Sequence, residues 1–240
     1  MDAAQIAEKT FENHLKKNSY PGRGLIVGRA DDGSHWFIVY FIMGRSSNSR
    51  NRRFAADGDR LWTEPLDARK VEDPSLIMYD AMLALPGVQI VSNGDQTITI
   101  YNALREGIDF RTALNTRDRE PDAPNFTPRI SAMLDFRGKE TIHLSVLKAN
   151  LFDNSETDRI SFNPASPPPG YGYGLTTYMG DGSPLPSFAG DPLLLPLKGS
   201  PKEIIDAYWS ALNSDNRVAL AVKRIKSDGT LAEVLIQNAG

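Results

Sequence analysis

The segment His35–Met43, HWFIVYFIM, most restricts how this chain can fold. It is apolar at nearly every position, whereas a strand with one face in water alternates apolar and polar residues. We therefore expect both of its faces to be buried, as in a strand that lies between two layers. Residues 24–30 form a second apolar run, and the turn sequence DDGS at 31–34 joins the two runs, which predicts a β-hairpin.

The rest of the chain predicts mainly antiparallel strands with a few helices. Apolar runs predict further strands at residues 60–62, 76–85, 88–91, 130–134, 141–148 and 159–162, and a closing hairpin of residues 218–225 and 231–236. The run at 76–85 also has a composition that fits a helix. Two antiparallel sheets packed face to face, with helices outside, would bury the doubly apolar strand.

Helices are predicted near both ends of the chain and in its middle. Residues 2–17 carry small and apolar side chains at four-residue spacing, and residues 97–106 and 110–115 have helical composition. The sequence SPKE at 200–203 is typical of a helix start with a capping box, and that helix is expected to end near Leu212. Residues 167–196, which are rich in proline, are interpreted as a long loop region.

Composition limits the function. The chain has 240 residues, a formal net charge of −3 and no cysteine, which excludes disulfides and thiolate catalysis. Positive charge is local, so neither a nucleic-acid nor a membrane partner is expected. The first residues lack the apolar stretch of a secretory signal, and we expect a cytoplasmic protein. The three histidines are isolated and show no metal-ligand spacing, so no metal site is expected.

Three segments carry most of the chemistry. Residues 119–130, REPDAPNFTPRI, hold three prolines and predict a stiff loop that leads into a strand near Arg129, although a surface turn is an equally good interpretation. Residues 44–53, GRSSNSRNRR, suit either a phosphate or a solvated basic loop. Residues 90–97, IVSNGDQT, end a strand in a turn that we expect to expose the amide of Asn93.

These segments together resemble one family, the archaeal-type IMP cyclohydrolases, which also has bacterial members. The matching pieces occur in family order over roughly residues 20–215. They are YPGRGLIVGR at 20–29, GRSSNSR at 44–50, VSNG at 91–94, EPDAPNFTPRI at 120–130 and TTYMGDG at 176–182. Five pieces in register are a fairly specific signal, and the first nineteen residues go beyond what the short archaeal members carry.

The resemblance implies a fold and a reaction. The implied fold is α+β: a four-layer α-β-β-α sandwich of two mainly antiparallel sheets, like that of the N-terminal-nucleophile hydrolases. One domain would span residues 1–240, with residues 1–19 as an N-terminal helical extension. The implied reaction closes 5-formamidoimidazole-4-carboxamide ribotide to IMP with loss of water, the last step of de novo purine biosynthesis. Both reacting groups belong to one molecule, so no cofactor is expected. We also expect a homo-oligomer.

For the phosphate, Arg45 and Arg50 are the candidate ligands, with Ser46 and Ser49 assisting. Thr127 and Arg129 are expected either to grip the ribose or to stabilise the loop.

For the chemistry, Glu120 is the candidate proton acceptor. Asp122 is its reserve, or else orients Arg129. Asn93 and a tyrosine, either Tyr79 or Tyr178, are expected to donate to the formyl oxygen, although each tyrosine suits the core equally well.

Two alternatives stay open. One is an enzyme of the same fold that acts on another amide-bearing nucleotide. The other is a non-catalytic protein that binds purine nucleotides. Such a sensor would keep the arginine-rich loop but would gain little from a carboxylate near the base, so Glu120 favours an enzyme.

Overall fold

The computed structural model describes residues 1–71, 78–139 and 141–239. Within these residues, the strands form two antiparallel sheets, one of six strands and one of seven. The six-stranded sheet has the order β11-β10-β1-β2-β12-β13. Its strands are β1 (Gly24–Arg29), β2 (His35–Met43), β10 (Tyr171–Thr176), β11 (Leu193–Pro196), β12 (Arg217–Lys226) and β13 (Leu231–Asn238).

The seven-stranded sheet runs in chain order from β3 to β9. Its strands are β3 (Arg53–Asp57), β4 (Arg60–Glu64), β5 (Asp80–Leu85), β6 (Val88–Ser92), β7 (Arg129–Asp135), β8 (Thr141–Ala149) and β9 (Thr157–Phe162).

Helices lie outside the two sheets. They are α1 (Ala3–Thr10), which continues as a π-helix (Phe11–Lys16), α2 (Ser47–Arg50), a 3₁₀ turn (Ala68–Lys70), α3 (Gln96–Arg105), α4 (Phe110–Leu114) and α5 (Pro201–Ala211). In the described part of the chain, no helix is long and apolar enough to cross a membrane.

Strand β2 is buried on both faces, as its composition predicts. Ile38, Tyr40 and Ile42 point into the core between the sheets, where they meet residues of the seven-stranded sheet. Phe37 and Phe41 point the other way, into a second core under the helices at both ends of the chain. A third cluster packs α3 and α4 on the outer face of the seven-stranded sheet. The α+β sandwich expected from the sequence is therefore confirmed.

Local signals predicted many elements correctly. The hairpin of β1 and β2 pairs as expected, and so does the closing hairpin of β12 and β13. Helix α5 begins with the predicted capping box. The side chain of Ser200 accepts a hydrogen bond from the backbone N–H of Glu203, and the side chain of Glu203 accepts one from the backbone N–H of Ser200.

Other predictions were wrong or incomplete. Residues 167–196 are not one long loop, because they contain β10 and β11. Strand β3 was not predicted. The predicted strand at residues 76–85 is observed as β5 from Asp80, and residues 76 and 77 lie outside the described residues.

Strand pairing brings the chemically interesting segments to one end of the sandwich. Gly24 pairs with both Phe41 and Thr176. The residues before β1, after β2 and after β10 therefore meet at the same end of the strands of the six-stranded sheet. In the other sheet, Ser92 pairs with Ser131, which brings the end of β6 beside the start of β7. The functional candidates lie at these strand ends.

Candidate functional site

A cleft of about 270 Å³ opens at this end of the sandwich. The segments before β1, after β2, after β10 and before β7 all contribute to its wall. Its polar lining consists of Arg23, Arg45, Ser46, Ser49, Arg52, Asp122, Asn125, Thr127, Thr177 and Tyr178. The three segments singled out in the sequence therefore do not contribute equally, because residues 90–97 supply none of these side chains.

Two arginines give the cleft an unbalanced positive charge. Arg52 is 3% exposed, and Arg23 is partly buried. Burial lowers the pKa of the Arg52 guanidinium, and the neighbouring charge of Arg23 lowers it further. Among the described residues, neither guanidinium forms a salt bridge. Two close cations without a carboxylate partner favour an anionic ligand.

Arg45, a predicted phosphate ligand, lies at the mouth of the cleft. It donates to the carboxylate of Asp181 and to the backbone oxygen of Gly182, 3.1 Å away. Its guanidinium also lies 4.9 Å from the ring centroid of Tyr20. Arg45 therefore reaches the cleft while already paired.

Ser46 and Ser49 lie beside Arg45. Ser46 caps the short helix α2, and the two serine hydroxyls lie 3.0 Å apart. Both residues line the cleft, and their role as phosphate ligands stays a prediction.

Arg50 does not line the cleft. Its Nε donates to the backbone oxygen of Gly44 at 2.9 Å, and its Nη2 donates to Asn216 at 3.2 Å. Helix α2 ends at Arg50, and two residues later Arg52 lines the cleft, whereas Arg50 does not. Arg52 therefore occupies the position in the cleft that the sequence interpretation gave to Arg50.

Glu120 does not line the cleft; it is 6% exposed and lies within electrostatic range of two residues that do, Arg23 and Asp122. Burial raises the pKa of its carboxyl, while the positive charges of Arg129 and Arg23 oppose that rise and Asp122 and Asp95 add to it. Within the described residues, its carboxylate oxygens accept no hydrogen bond; the nearest cation is the Nη1 of Arg129, 3.2 Å from Oε1. A carboxylate that accepts no hydrogen bond from the described residues and has a raised pKa has the properties of a general base.

Asp122, the reserve candidate, is differently engaged. Its Oδ1 accepts from the backbone N–H of Thr127 at 2.7 Å, and its Oδ2 accepts from the Thr127 hydroxyl. That hydroxyl lies 2.6 Å from the hydroxyl of Tyr178. Because the Thr127 proton goes to Asp122, Tyr178 donates to Thr127, and the three residues form a chain of hydrogen bonds from the cleft to a carboxylate. Asp122 does not pair with Arg129, so the expectation that it orients that arginine was wrong.

Arg129 is 8% exposed and does not line the cleft. Its Nε donates to the backbone oxygen of Asp118 at 2.8 Å, and its Nη1 donates to Asp95 and Gln96. Of the two predicted roles, the geometry fits loop stabilisation and not contact with a ribose. Thr127, in contrast, lines the cleft.

Asn93 is only 1% exposed, so the expectation of an exposed amide at this turn was wrong. Its Nδ2 donates to the backbone oxygen of Pro128 at 2.9 Å. Its Oδ1 accepts from the backbone N–H of Ile130 at 2.8 Å and from Gln96 at 2.9 Å. The side chain ties the turn after β6 to the start of β7, and its polar atoms face the protein.

The two candidate tyrosines differ in position. Tyr178 lines the cleft, and burial raises the pKa of its hydroxyl to about 12, so the group is protonated at neutral pH. Tyr79 is 7% exposed and does not line the cleft; its hydroxyl lies 2.7 Å from that of Tyr40. Tyr178 is therefore the better-placed donor.

The loop that carries Glu120 and Asp122 contains an unusual backbone conformation. Phe126 has a φ of 43°, a left-handed conformation that non-glycine residues rarely adopt. The guanidinium of Arg119 lies 4.3 Å from the centroid of the Phe126 ring. Strand β7 follows at Arg129, where the sequence predicted it.

Sequence reasoning missed Arg23 and Arg52 as site residues, although both lie in or beside segments that it had singled out. A search of the described residues finds no group of three or more histidine, cysteine, aspartate or glutamate side chains that could hold a metal ion.

Comparison with known proteins gives a consistent family. A family model described as "IMP cyclohydrolase-like protein" matches residues 20–229. An IMP cyclohydrolase of Methanococcus maripaludis is 29% identical over 135 residues, which are 55% of this chain and 64% of that protein. One of Methanocella arvoryzae is 31% identical over 119 residues, 48% of this chain and 57% of that protein. One of Methanopyrus kandleri is 28% identical over 172 residues, 70% of this chain and 79% of that protein. The matched region thus spans less than two thirds of the first two relatives.

Proposed function

Because this chain belongs to the IMP cyclohydrolase-like family, we propose that it closes 5-formamidoimidazole-4-carboxamide ribotide to IMP with loss of water. One observation carries the proposal: the cleft is lined by two cations, Arg23 and Arg52, that form no salt bridge among the described residues, and a buried carboxylate with a raised pKa, Glu120, lies within electrostatic range of Arg23. The substrate offers an anionic phosphate and an amide that must lose a proton, which are the two features that such a cleft would recognise.

The phosphate end of the cleft is proposed to be the segment from Arg45 to Arg52. Arg52 supplies a positive charge that is in no salt bridge among the described residues, and Ser46 and Ser49, which also line the cleft, supply hydroxyl groups on short side chains. When the substrate binds, the guanidinium of Arg45 would leave the carboxylate of Asp181 and bind the phosphate instead. Buried guanidinium groups bind phosphate strongly because they are weakly hydrated and donate in a planar fork.

Ring closure begins when the carboxamide nitrogen attacks the formyl carbon. The new N–C bond leaves negative charge on the formyl oxygen, and one amide proton leaves the nitrogen. We propose that Glu120 accepts this proton, because its oxygens accept no hydrogen bond from the described residues and it lies within electrostatic range of Arg23, which lines the cleft. Its raised pKa makes it a stronger base than an exposed carboxylate.

The formyl oxygen needs a donor as it gains negative charge. We assign this role to Arg23 and Tyr178, because both line the cleft, whereas the atoms of Asn93 are bonded within the protein. Tyr178 would turn its single hydroxyl proton from Thr127 to the formyl oxygen. Glu120 then passes the amide proton to this oxygen, which becomes a hydroxyl. In the dehydration that follows, the formamide nitrogen gives its proton to Glu120 as the C=N bond forms, and Glu120 passes that proton to the departing hydroxyl, which leaves as water. Each step needs only proton transfer and orientation.

Turnover tests the proposal directly. Purified protein is mixed with the formylated ribotide, and IMP formation is followed by absorbance. We expect multiple turnovers and no turnover of other amide-bearing nucleotides at the same concentration. Preference for another nucleotide would identify a different enzyme of this fold, and tight nucleotide binding without turnover would identify a binding protein; either result contradicts the proposal.

Further properties are proposed on the same basis. We propose a single domain over residues 1–240, in which the helix at residues 1–19 is an N-terminal extension, and a homo-oligomer located in the cytoplasm. We also propose that the reaction needs no cofactor, since both reacting groups belong to one substrate molecule.

A further inference from the structure

The Nη1 of Arg129 lies near three acceptors. It donates to Asp95 Oδ1 at 2.6 Å and to Gln96 Oε1 at 2.9 Å, and it lies 3.2 Å from Glu120 Oε1. A terminal guanidinium nitrogen carries two protons. Asp95 and Gln96 take both, so this nitrogen attracts Glu120 by charge but donates no hydrogen bond to it.

Asp95 is itself held in place. Arg117 Nη2 lies 2.6 Å from both of its carboxylate oxygens. The turn that carries Asp95 also needs a glycine next to it: a Cβ at Gly94 would lie 2.9 Å from Arg129 Nη1 and 3.1 Å from Glu120 Oε1. The backbone therefore approaches the Arg129–Glu120 pair closely, and Asp95 bonds to the same guanidinium nitrogen that lies beside Glu120.

We propose that Asp95 is a positioning residue that sets the basicity of Glu120 through Arg129. This inference rests on the proposed function, in which Glu120 accepts the amide proton. Asp95 acts in two ways: it takes a proton of Arg129 that would otherwise be donated to Glu120, and its negative charge offsets that of the guanidinium. Without it, Arg129 would neutralise the base.

The charged groups around Glu120 determine the direction of the effect. Arg129 faces it from β7, Arg23 from the segment before β1, Asp122 from its own loop and Asp95 from the turn before α3. Two cations stabilise the carboxylate form, and two anions oppose them. Without the charge of Asp95, the two cations are opposed by Asp122 alone. The carboxylate form of Glu120 is then more stable, so the pKa of Glu120 should fall.

The test is a pH profile of Asp95→Asn, which keeps an oxygen acceptor for Arg129 but removes the charge. We expect the acid limb of kcat/KM to move to lower pH, and kcat on the plateau to fall by about 3- to 10-fold because the base is weaker. KM should stay within about twofold. Asp95→Glu, which restores the charge, should restore the acid limb towards that of the parent.

Asp135→Asn is the matched control. It removes one charge from an aspartate–arginine pair of the same 2.6 Å length at the other end of β7, and it should leave the profile unchanged. An unchanged acid limb in Asp95→Asn, or a shift to higher pH, would overturn the inference.

A readout independent of turnover separates this inference from the proposed function. The carboxyl of Glu120 can be titrated by NMR in protein labelled with ¹³C-glutamate, with Glu120→Gln used to assign the signal. We expect it to titrate at lower pH in Asp95→Asn than in the parent. If the parent forms no IMP, the proposed function fails. If the two titrations coincide, the role of Asp95 fails whatever the turnover.

Discussion

Replacing Arg52 by methionine should weaken nucleotide binding far more than the same change at Arg50. Arg52 is 3% exposed, and no described carboxylate pairs with it, so a bound phosphate would be its main counter-charge. Losing a hydrogen bond to a charged group costs about 1.5–3 kcal/mol. At 1.4 kcal/mol for each factor of ten, the dissociation constant of IMP should rise roughly 10- to 150-fold.

Arg50→Met is the matched control, because each variant changes the formal net charge from −3 to −4. The side chain of Arg50 bonds only to Gly44 and Asn216 among the described residues, outside the cleft. Its loss should lower the free energy of unfolding by about 1 kcal/mol and leave binding within about twofold.

Isothermal titration calorimetry with IMP at constant ionic strength measures the difference, and thermal melts in rising inorganic phosphate provide a second readout. Phosphate should raise the Tm of the parent and of Arg50→Met by similar amounts, and it should raise the Tm of Arg52→Met much less. Binding of IMP by Arg52→Met as tight as that of the parent, or an equal loss of affinity in both variants, would contradict the role assigned to Arg52.

Three further predictions concern the inner wall of the site. Tyr178→Phe should lower kcat by about 10- to 100-fold with little change in KM, whereas Tyr79→Phe should affect mainly the melting temperature; steady-state kinetics and thermal melts compare the two. Glu120→Gln should make the ligand-free protein more stable than the parent at neutral pH, because burial raises the pKa of Glu120 and so opposes its ionisation in the folded state. That advantage should disappear as the pH falls below the ordinary value of 4.5, where the parent carboxyl is protonated in both states; urea unfolding between pH 4 and 8 measures it. Gly94→Ala should cost about 1–3 kcal/mol in urea unfolding and reduce kcat, since its Cβ would lie 2.9 Å from Arg129 Nη1; unchanged activity would contradict the close packing.

Elements with local signals could be predicted from the sequence, and elements formed by long-range packing could not. The apolar composition of β2 and the capping box of α5 are properties of short segments. Strand β10 is rich in glycine because its neighbours approach closely: a Cβ at Gly172 would lie 2.7 Å from Leu197 and 2.8 Å from the backbone oxygen of Val27. That cause involves residues distant in the chain, so β10 was interpreted as loop.

The same limit applies to the site. The sequence identified the segments that surround the cleft, but it could not show which side chains face it. Arg50 and Arg52 are of one type and two residues apart, and only the turn of α2 distinguishes them. Asn93 lies in a segment that resembles the family, yet its polar atoms bond to Pro128 and Ile130 of the facing loop and strand.

The most direct test of the account is the rate of IMP formation from the formylated ribotide by the parent and by Glu120→Gln. The variant keeps the size of the side chain but cannot accept the amide proton. We predict that the parent turns over repeatedly, and that kcat of the variant is lower by roughly 10²- to 10⁴-fold while its affinity for IMP is unchanged. A parent that forms no IMP, or a variant that forms it at the parent's rate, would contradict the central claim.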